Sequence, residues 1–268
     1  MQKTILITGA SAGLGKSTAK LFQSKGWNVI ATMRNAESEK ELTQLENVTV
    51  LKLDVTDPAQ IKETVSKVIG LHSIDVVLNN AGYGLIGALE ALTDKQINRQ
   101  IHTNLLGVIR VTKEFTPYFR EKRSGMFINI TSSFGLLGYP TCSVYSATKF
   151  AIDGFSESLA YDLAHFGVKV KIVAPGGMQT DFAGRSLDGG QHDAYQKLVT
   201  KVSEGYSAER ISQFATAEHV ASIIYEAATD NKEQLRYVAG KDAISLYTER
   251  EEIGAEAQYK KIQEMFAY

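Results

Sequence analysis

The segment Tyr145–Lys149 (YSATK) places a tyrosine and a lysine four residues apart. On a helix, residues at this spacing share one face. A free tyrosine has a pKa of about 10 and is a poor base at neutral pH, whereas a nearby ammonium group favours its phenolate. We therefore predict that Lys149 lowers the pKa of Tyr145 and makes it a general acid–base group. An ordinary surface pair on an amphipathic helix has the same spacing.

Three other segments end predicted strands with residues suited to a binding site. Asn129–Ser133 (NITSS) carries the hydroxyl of Ser132, Asn79–Gly82 (NNAG) ends the fourth strand, and Pro175–Gly177 (PGG) ends the sixth. The carboxyl ends of parallel strands lie at one edge of a sheet, where ligands bind. With the glycine-rich turn after the first strand, four turns converge on one rim, which favours chemistry over a surface pair.

That glycine-rich turn is Thr8–Gly15 (TGASAGLG), which follows the first strand and opens a helix. A helix N-terminus offers free N–H groups and partial positive charge to a pyrophosphate, and glycines let the backbone approach closely. The turn therefore predicts a dinucleotide site. A tight strand–helix connection without a ligand is the alternative, since a glycine pattern alone is a weak signal.

The end of the second strand distinguishes the two nicotinamide dinucleotides, because a carboxylate there binds the ribose hydroxyls and repels a 2′-phosphate. The sequence at 31–35 is ATMRN, with no carboxylate at the strand end. The guanidinium of Arg34 suits a phosphate dianion, so the sequence favours NADP(H) over NAD(H). A solvated surface arginine is the alternative, and Glu37 and Glu39 are near enough to leave NAD(H) open.

Short apolar runs separated by helical stretches are the elements that must position these residues. The central runs are almost continuously apolar, which indicates parallel strands buried on both faces. The alternation predicts an α/β Rossmann fold, a doubly wound parallel β-sheet of about seven strands with helices on both faces. The predicted strands are Thr4–Thr8, Asn28–Thr32, Val48–Leu53, Asp75–Leu78, Met126–Ile130, Val168–Val173 and Leu235–Val238.

Capping residues mark the predicted helix ends. Asp57–Gln60 (DPAQ) predicts an N-cap, a proline at the first helical position and a reciprocal glutamine. Thr93–Gln96 (TDKQ) predicts the same box for a long helix, which should end near Lys122 with Gly125 just beyond it.

No repeat or linker divides the chain, so we predict one NAD(P)-binding domain over residues 1–268. Two segments fall outside the strand–helix alternation, and we expect a substrate lid around 181–214 and a C-terminal helical extension after residue 240. Residues at helical spacing are Tyr195, Leu198, Val199 and Val202 in the lid, and Ala255, Tyr259, Ile262 and Phe266 in the extension.

The composition excludes several classes of protein. The net charge of -1 gives no attraction to nucleic acid or to anionic membranes. No run approaches the roughly 18 apolar residues of a membrane span, and the first strand follows Met1–Lys3 without a signal-peptide layout. The single cysteine, Cys142, excludes an internal disulfide and is expected to pack rather than react, and the histidines form no metal-ligand grouping. We expect a cytoplasmic protein without a metal.

As a set, the motifs resemble those of the short-chain dehydrogenase/reductases, in particular their single-domain branch. The resemblance is close from Thr4 to Thr180 and looser as far as Leu235–Gly240, and Ser132 precedes Tyr145 by 13 residues, as in that family. No single motif is specific, but the set is. The motifs are TGASAGLG at 8–15, DVTD at 54–57, NNAG at 79–82, NLLG at 104–107, NITSS at 129–133, YSATK at 145–149 and PGGMQT at 175–180.

The resemblance implies a role for each matched residue. Tyr145 resembles the catalytic acid/base, and Ser132 resembles the residue that binds the substrate oxygen. Lys149 resembles the residue that lowers the tyrosine pKa and holds the nicotinamide ribose. Asn104 resembles the asparagine that helps to hold a water in the proton relay, although it could instead bridge a bulge in its own helix.

The cofactor contacts come from the glycine turn, from Arg34 and from the resemblance. Asp54 is an implied adenine contact, with capping of a turn as its alternative, and the NNAG segment could stabilise the sheet rather than touch a ligand. The full expected set is Gly9, Ser11, Gly13, Leu14, Gly15, Arg34, Asp54, Val55, Asn80, Ala81, Gly82, Tyr145, Lys149, Pro175, Gly176, Met178 and Thr180.

The stretch Phe134–Tyr161 is most similar to family members that act on lipophilic alcohols and ketones, such as 17β-hydroxysteroid and retinol dehydrogenases. The resemblance implies an NADPH-dependent oxidoreductase that transfers a hydride between nicotinamide and a carbonyl or secondary alcohol of a small lipophilic molecule. A 3-oxoacyl thioester reductase is one alternative, and a non-catalytic NADP(H) sensor is another. Family members commonly pair helices such as Asn98–Arg120 and Tyr145–Leu163, so a homodimer or homotetramer is expected.

Overall fold

A computed structural model describes residues 2–179 and 187–267 of the chain. Its central strands are β1 (Thr4–Thr8), β2 (Asn28–Met33), β3 (Val48–Lys52), β4 (Val76–Asn79), β6 (Gly125–Ile130), β7 (Val168–Pro175) and β11 (Arg236–Ala239). They form one sheet in the order β11-β7-β6-β4-β1-β2-β3, with every neighbouring pair parallel. Two short pairs lie outside it, namely β5 (Gly84–Ile86) with β9 (Leu187–Gly189) and β8 (Met178–Gln179) with β10 (Ala215–Thr216).

Helices cover both faces of this sheet. In the described residues they are α1 (Gly13–Ser24), α2 (Pro58–Leu71), α3 (Asp94–Ile101), α4 (Gly107–Lys122), α5 (Ser143–Ala164), α6 (Gln196–Glu204), α7 (Ala208–Ile211), α8 (Ala217–Thr229), α9 (Lys241–Ile253) and α10 (Ala255–Phe266). One apolar layer joins the sheet to α1 and α8, and the other joins it to α2, α4 and α5. The predicted doubly wound α/β fold is confirmed.

The two apolar layers explain why the central strands are apolar throughout. In β1, Ile5 and Ile7 face the layer of α1 and α8, while Leu6 between them faces the opposite layer. Successive side chains of a strand point to opposite faces, so a strand covered on both sides needs apolar residues at every position. The order of strands reverses at β1, which pairs with β2 on one side and β4 on the other. The glycine-rich turn leaves the sheet at this point, where a crevice forms.

The predicted cap at the start of α2 is only partly correct. The Asp57 carboxylate accepts from the N–H groups of Ala59 and Gln60 at 3.0 and 3.1 Å. The Gln60 side chain, however, accepts from the Asp54 N–H, because the Asp57 N–H already donates to the Asp54 carbonyl. The reciprocal glutamine predicted there is therefore wrong, whereas the capping box predicted between Thr93 and Gln96 is confirmed.

The end of α4 differs from its prediction. Arg123, not Gly125, takes the left-handed conformation that ends the helix, with φ 52°. The chain must turn at once, because Gly125 already opens β6. The Arg123 guanidinium donates to the His165 carbonyl at 2.9 Å, which fixes this corner against the end of α5.

The helices of the lid and the extension bury only two of the residues named at helical spacing, Val202 and Phe266. Positions 181–186 of the predicted lid lie outside the described residues. In α10 the buried side chains are Gln258 and Phe266, and Tyr259 is 61 % exposed. Gln258 tolerates burial because its amide donates to the Leu246 carbonyl at 2.7 Å. No helix in the described part of the chain is both long and apolar enough to cross a membrane.

A buried ionic cluster ties β7 to β11 and the end of α8. The Lys171 ammonium, 2 % exposed, donates to Asp230 at 2.7 Å and to the Tyr237 hydroxyl at 2.9 Å. The Tyr237 hydroxyl donates to the second oxygen of Asp230 at 2.6 Å. Burial raises the pKa of Asp230, but the hydrogen bonds from Lys171 and Tyr237 outweigh it and bring the pKa to about 2.

Removing the ammonium group should destabilise the protein strongly. In Lys171→Met the Asp230 carboxylate stays buried without its cation, so we expect the free energy of unfolding to fall by about 3–5 kcal/mol. Lys169→Met on the same strand is the matched control, because Lys169 pairs with the exposed Glu233 and exposed pairs contribute about 0–1 kcal/mol. Urea unfolding measures both, and equal losses would contradict the prediction.

The cluster also predicts the direction of an acid dependence. Because the folded pKa of Asp230 lies below its ordinary value of 3.8, the stabilisation is fully present above that value and is lost as the pH falls towards about 2. In Asp230→Asn, the free energy of unfolding should therefore fall less over this pH range than it does in the wild type.

Candidate active site

Tyr145, Lys149 and Ser132 lie together at the carboxyl edge of the sheet. Tyr145 and Lys149 are one turn apart on α5, and Ser132 follows β6 and caps the short turn Ser133–Gly135. The Tyr145 and Ser132 hydroxyls lie close enough to interact. The Lys149 Nζ lies 5.7 Å from the centre of the Tyr145 ring. The predicted trio is thus one cluster in space.

The protonation of this cluster differs from its prediction. Burial raises the pKa of Tyr145 more than the Ser132 hydrogen bond lowers it, and the pKa is about 12. The expected lowering of the tyrosine pKa is therefore wrong in this structure. Burial also lowers the pKa of Lys149 to about 8, and its Nζ donates to the Ile130 carbonyl at 2.9 Å. At neutral pH the phenol keeps its proton, and most of the lysine is charged.

The glycine turn has a shape that side chains would destroy. Gly9 has a φ of 71°, and a Cβ at Gly15 would lie 2.4 Å from the Gly9 carbonyl oxygen and 2.5 Å from the Asn80 amide nitrogen. The Asn80 amide donates to the carbonyls of Thr8 and Gly9 at 2.9 and 3.0 Å. The Thr8 hydroxyl in turn accepts from the Asn80 and Ala81 N–H groups. The NNAG segment therefore holds the glycine turn in place.

The N-terminus of α1 has the properties of an anion site. Its N-cap is Ala12, which has no side chain to satisfy the first N–H groups, and no acidic residue lies in the first turn. Ser11 and Gly13 beside it are exposed, whereas Leu14 is buried in the core. Free N–H groups at a helix start bind phosphate through hydrogen bonds and the helix dipole.

Arg34 and the nearby carboxylates stand in different environments. Arg34 follows β2, is exposed, and forms no ion pair with another described residue. Glu39 is buried, pairs with Lys16 at 3.0 Å, and accepts from the Leu42 N–H at 3.0 Å. Glu39 therefore serves the packing of α1, whereas Arg34 and Glu37 are both exposed and form no ion pair among the described residues.

Asp54 caps a turn, which is the role expected of it as the alternative to an adenine contact. Its carboxylate accepts from the Thr56 N–H at 2.9 Å and from the Thr56 hydroxyl at 2.7 Å. Val55, 8 % exposed, packs against Gly107, where a Cβ would lie 2.9 Å from the valine Cγ2. These contacts fix the loop after β3, so Asp54 shapes the backbone at the predicted adenine position.

Asn104 lies in a π-helical turn, His102–Leu106, between α3 and α4. The Gly107 N–H bonds the His102 carbonyl five residues back. The Asn104 amide donates to the Tyr83 carbonyl at 2.8 Å and accepts from the Tyr83 N–H at 3.0 Å. Its side chain therefore holds the segment after NNAG rather than the bulge itself. π-turns of this kind often occur at functional sites.

The turn after β7 is held by a residue that the sequence motifs do not include. The Asp242 Oδ2 accepts from the Gly177 N–H at 2.7 Å, and a Cβ at Gly176 would lie 2.3 Å from it. The other carboxylate oxygen is buried without a hydrogen-bond partner in residues 2–179 and 187–267. Asp242 stands in the first turn of α9. Because 65 residues separate it from Gly177, short sequence motifs do not reveal the contact.

The remaining predicted residues of this edge are Pro175, Met178 and Thr180. Pro175 ends β7, and Met178 begins β8, which pairs with β10 and so joins the turn to the segment before α8. Thr180 lies outside the described residues. These strands place the PGG turn beside the lid.

Two lid aromatics and Cys142 complete the surroundings. Phe214 covers Gly177, where a Cβ would lie 2.6 Å from its ring, and the ring centres of Phe214 and Tyr206 are 6.0 Å apart. Tyr206 is 42 % exposed as a whole residue, and burial raises the pKa of its phenol. Cys142 is buried, and burial raises the pKa of its thiol to about 11. The thiol is protonated at neutral pH, which supports its expected packing role.

The model of the short chain dehydrogenase family matches residues 3–189. The chain belongs to the short-chain dehydrogenase/reductase family. The 3-ketodihydrosphingosine reductase of Bacteroides thetaiotaomicron is 41% identical over 179 residues, which cover 66% of this chain and 65% of that protein. The 3-oxoacyl-[acyl-carrier-protein] reductase of Thermotoga maritima is 35% identical over 246 residues, covering 89% and 94%. The protein is therefore an NAD(P)-dependent oxidoreductase.

Solved structures share the fold over almost the whole chain. A short-chain dehydrogenase from Streptomyces avermitilis has a TM-score of 0.85 and 31% identity, covering 98% of this chain and 96% of that one. ElxO with NADP bound has a TM-score of 0.77 and 31% identity, covering 91% and 100%. A nicotinamide dinucleotide fits the glycine turn of this chain, because the start of α1 offers N–H groups that no side chain caps, and Gly15 lets the helix pack closely on the turn.

Filling that space should weaken the cofactor site. In Gly15→Ala the new Cβ collides with the Gly9 carbonyl and the Asn80 amide, so the turn must move. We expect the Kd for NADPH to rise at least tenfold, roughly the loss of one or two hydrogen bonds. Gly70→Ala is the matched control, because no atom lies within 4 Å of its Cβ. Fluorescence titration measures both, and unchanged binding in Gly15→Ala would sink the prediction.

Proposed function

We propose that this enzyme is an NADPH-dependent reductase of lipophilic ketones or aldehydes, with Tyr145 as its acid. The observation that carries the proposal is the contact between the Tyr145 and Ser132 hydroxyls at the mouth of the sheet, with Lys149 one turn away. Two donors that converge on one point can bind a carbonyl oxygen. The similarity to a 3-ketodihydrosphingosine reductase supports a ketone with a lipophilic remainder.

The protonated phenol of this cluster is the form that reduction of a carbonyl requires. A phenol with a pKa of about 12 holds its proton at neutral pH and can donate it to a carbonyl oxygen as negative charge develops there. The Ser132 hydroxyl stabilises that charge by a second hydrogen bond. The Lys149 ammonium then stabilises the phenolate that remains on Tyr145, since an opposite charge nearby favours the ionised form.

The cofactor would lie along the carboxyl edge of the sheet. The turn Gly9–Gly15 and the start of α1 would hold its pyrophosphate, the loop at Asp54 and Val55 its adenine, and the turn after Pro175 its nicotinamide side. When bound, it supplies the hydride that reduces the carbonyl carbon. NADP(H) is favoured because Arg34 is unpaired among described residues at the end of β2 while Glu39 is bonded to Lys16.

A 3-oxoacyl thioester reductase is the second candidate, because the chain covers 94% of a 35% identical enzyme of that name. The same three residues would act on its 3-oxo group. Reduction rates for 3-oxoacyl thioesters and for simple lipophilic ketones, compared with NADPH as donor, separate the two candidates.

Self-association and a cytoplasmic location stay predictions. An exposed stripe along α5 supports a homodimer or homotetramer, since apolar residues on it have no cover in the described chain. The large ones are Phe150, 42% exposed, and Tyr161, 68% exposed.

Removing one hydroxyl tests the proposed acid. Tyr145→Phe should lower kcat for ketone reduction by at least about 100-fold, the usual contribution of general acid catalysis, and leave the Kd for NADPH nearly unchanged. Tyr161→Phe, on the same helix but 68% exposed, is the control and should keep full activity. Turnover is followed by the fall in NADPH absorbance at about 340 nm as the cofactor is oxidised. Undiminished turnover in Tyr145→Phe would refute the mechanism, and NADPH binding without turnover of any substrate by the wild type would favour the sensor.

Removing one guanidinium tests the cofactor preference. Arg34→Ala should raise the Kd for NADPH roughly tenfold or more, because a charge-assisted hydrogen bond to the 2′-phosphate is lost. The Kd for NADH should change little. Lys40→Ala removes an exposed positive charge from the same loop and serves as the control. Equal losses of NADPH and NADH affinity in Arg34→Ala would show that Arg34 does not bind the 2′-phosphate.

A further inference from the structure

Phe266, at the end of α10, belongs to a row of aromatic rings that begins beside the candidate active site. The rings of Phe134 and Tyr139 stack with centres 4.8 Å apart, and Phe266 meets Tyr139 edge-on at 5.3 Å. The Phe134 N–H donates to the Ser132 hydroxyl at 3.2 Å. Phe134, Tyr139 and Phe266, the aromatic wall, therefore run from the proposed oxygen-binding residue to the C-terminal helix.

The lid approaches the aromatic wall from the other side. Lys201 of α6 donates to the Ala267 carbonyl at 2.7 Å, which ties the end of α10 to the lid. Three segments that are far apart in the sequence thus contact one another in turn, since Tyr139 meets Phe266 of α10 and α10 is bonded to the lid.

Packing of the main core does not account for Phe266. The side chain is 9% exposed, yet it belongs to neither apolar layer of the sheet. Its neighbour Met265 is 52% exposed, so the helix turns one specific ring inward. A buried ring outside both layers, in contact with a residue of the Ser132–Tyr145 loop, has the position of a pocket wall.

We propose that α10 completes the substrate cleft and that Phe266 limits the size of the apolar group attached to the carbonyl. This inference rests on the proposed ketone reductase function and gives a role to a segment beyond the family match at residues 3–189. The ligand is a ketone with a flat apolar substituent, because stacked and edge-on rings offer a surface on which such a group packs well.

The size of the ring at position 266 provides the test. Wild type, Phe266→Ala, Phe266→Trp and Met265→Ala are assayed with NADPH and butanone, acetophenone or 2-acetylnaphthalene. In Phe266→Ala we expect the ratio of kcat/KM for 2-acetylnaphthalene over butanone to rise roughly tenfold or more, since small volume changes in an apolar pocket produce selectivity of that order. Phe266→Trp should lower the ratio. Met265→Ala, and the KM for NADPH in all four proteins, should stay unchanged.

Binding gives a readout that does not depend on turnover. Calorimetry measures the Kd of the same three ketones for the enzyme saturated with NADP⁺, which cannot reduce a ketone. Thermal unfolding shows separately whether each variant is folded. The inference is overturned if both Phe266 substitutions weaken activity and binding equally for all three ketones and leave the ratio for 2-acetylnaphthalene over butanone unchanged. The proposed function would still stand in that case. A folded wild type that neither reduces nor binds any of the three ketones overturns both. If Phe266→Ala unfolds, the opposite shift in Phe266→Trp decides the matter.

Discussion

Burial of the parallel sheet on both faces is the constraint on which the rest of this structure depends. Strands covered on both sides have no room for unpaired polar groups, so polar side chains collect at the carboxyl ends. Some of the polar groups that do enter the core are bonded to one another. The Asn79 amide donates to Asn129 at 2.8 Å, and the Asn129 amide donates to Ser156 at 2.8 Å. This chain of bonds joins β4 and β6 to α5 and fixes the helix that carries Tyr145.

The same constraint explains how much the sequence reveals. Continuous apolar runs indicate strands buried on both sides, so the fold and the positions of the seven central strands follow from them, whereas the short strands β5, β8, β9 and β10 do not. The trio Ser132, Tyr145 and Lys149 was predictable because motif spacing along one strand and one helix brings it together. Asp242 and Phe266 were not, because their contacts join segments far apart in the chain, and neither residue type signals a partner. Gln258 illustrates the same limit, since only its tertiary hydrogen bonds make a buried glutamine acceptable.

Charge at the site depends on burial more than on sequence spacing. The four-residue separation of Tyr145 and Lys149 suggests an ammonium beside a phenol, and from that pair alone a lowered tyrosine pKa follows. The fold adds desolvation, which disfavours the charged form of both groups. It raises the pKa of Tyr145 to about 12 and lowers that of Lys149 to about 8. A pair whose ionised forms are both costly favours the neutral phenol, which is the form that an acid needs.

Several residues expected at the site also fix the backbone around it through their own hydrogen bonds. Asn80 bonds the carbonyls of the glycine turn, Asp54 caps its own loop, and Asn104 bonds the Tyr83 backbone. The structural and functional interpretations of such residues are not opposed. A glycine turn can approach a pyrophosphate only if something else fixes its shape, because glycine itself favours no single conformation. Asn80 supplies that constraint, so a dinucleotide site built from backbone N–H groups also depends on side chains that hold the turn in shape.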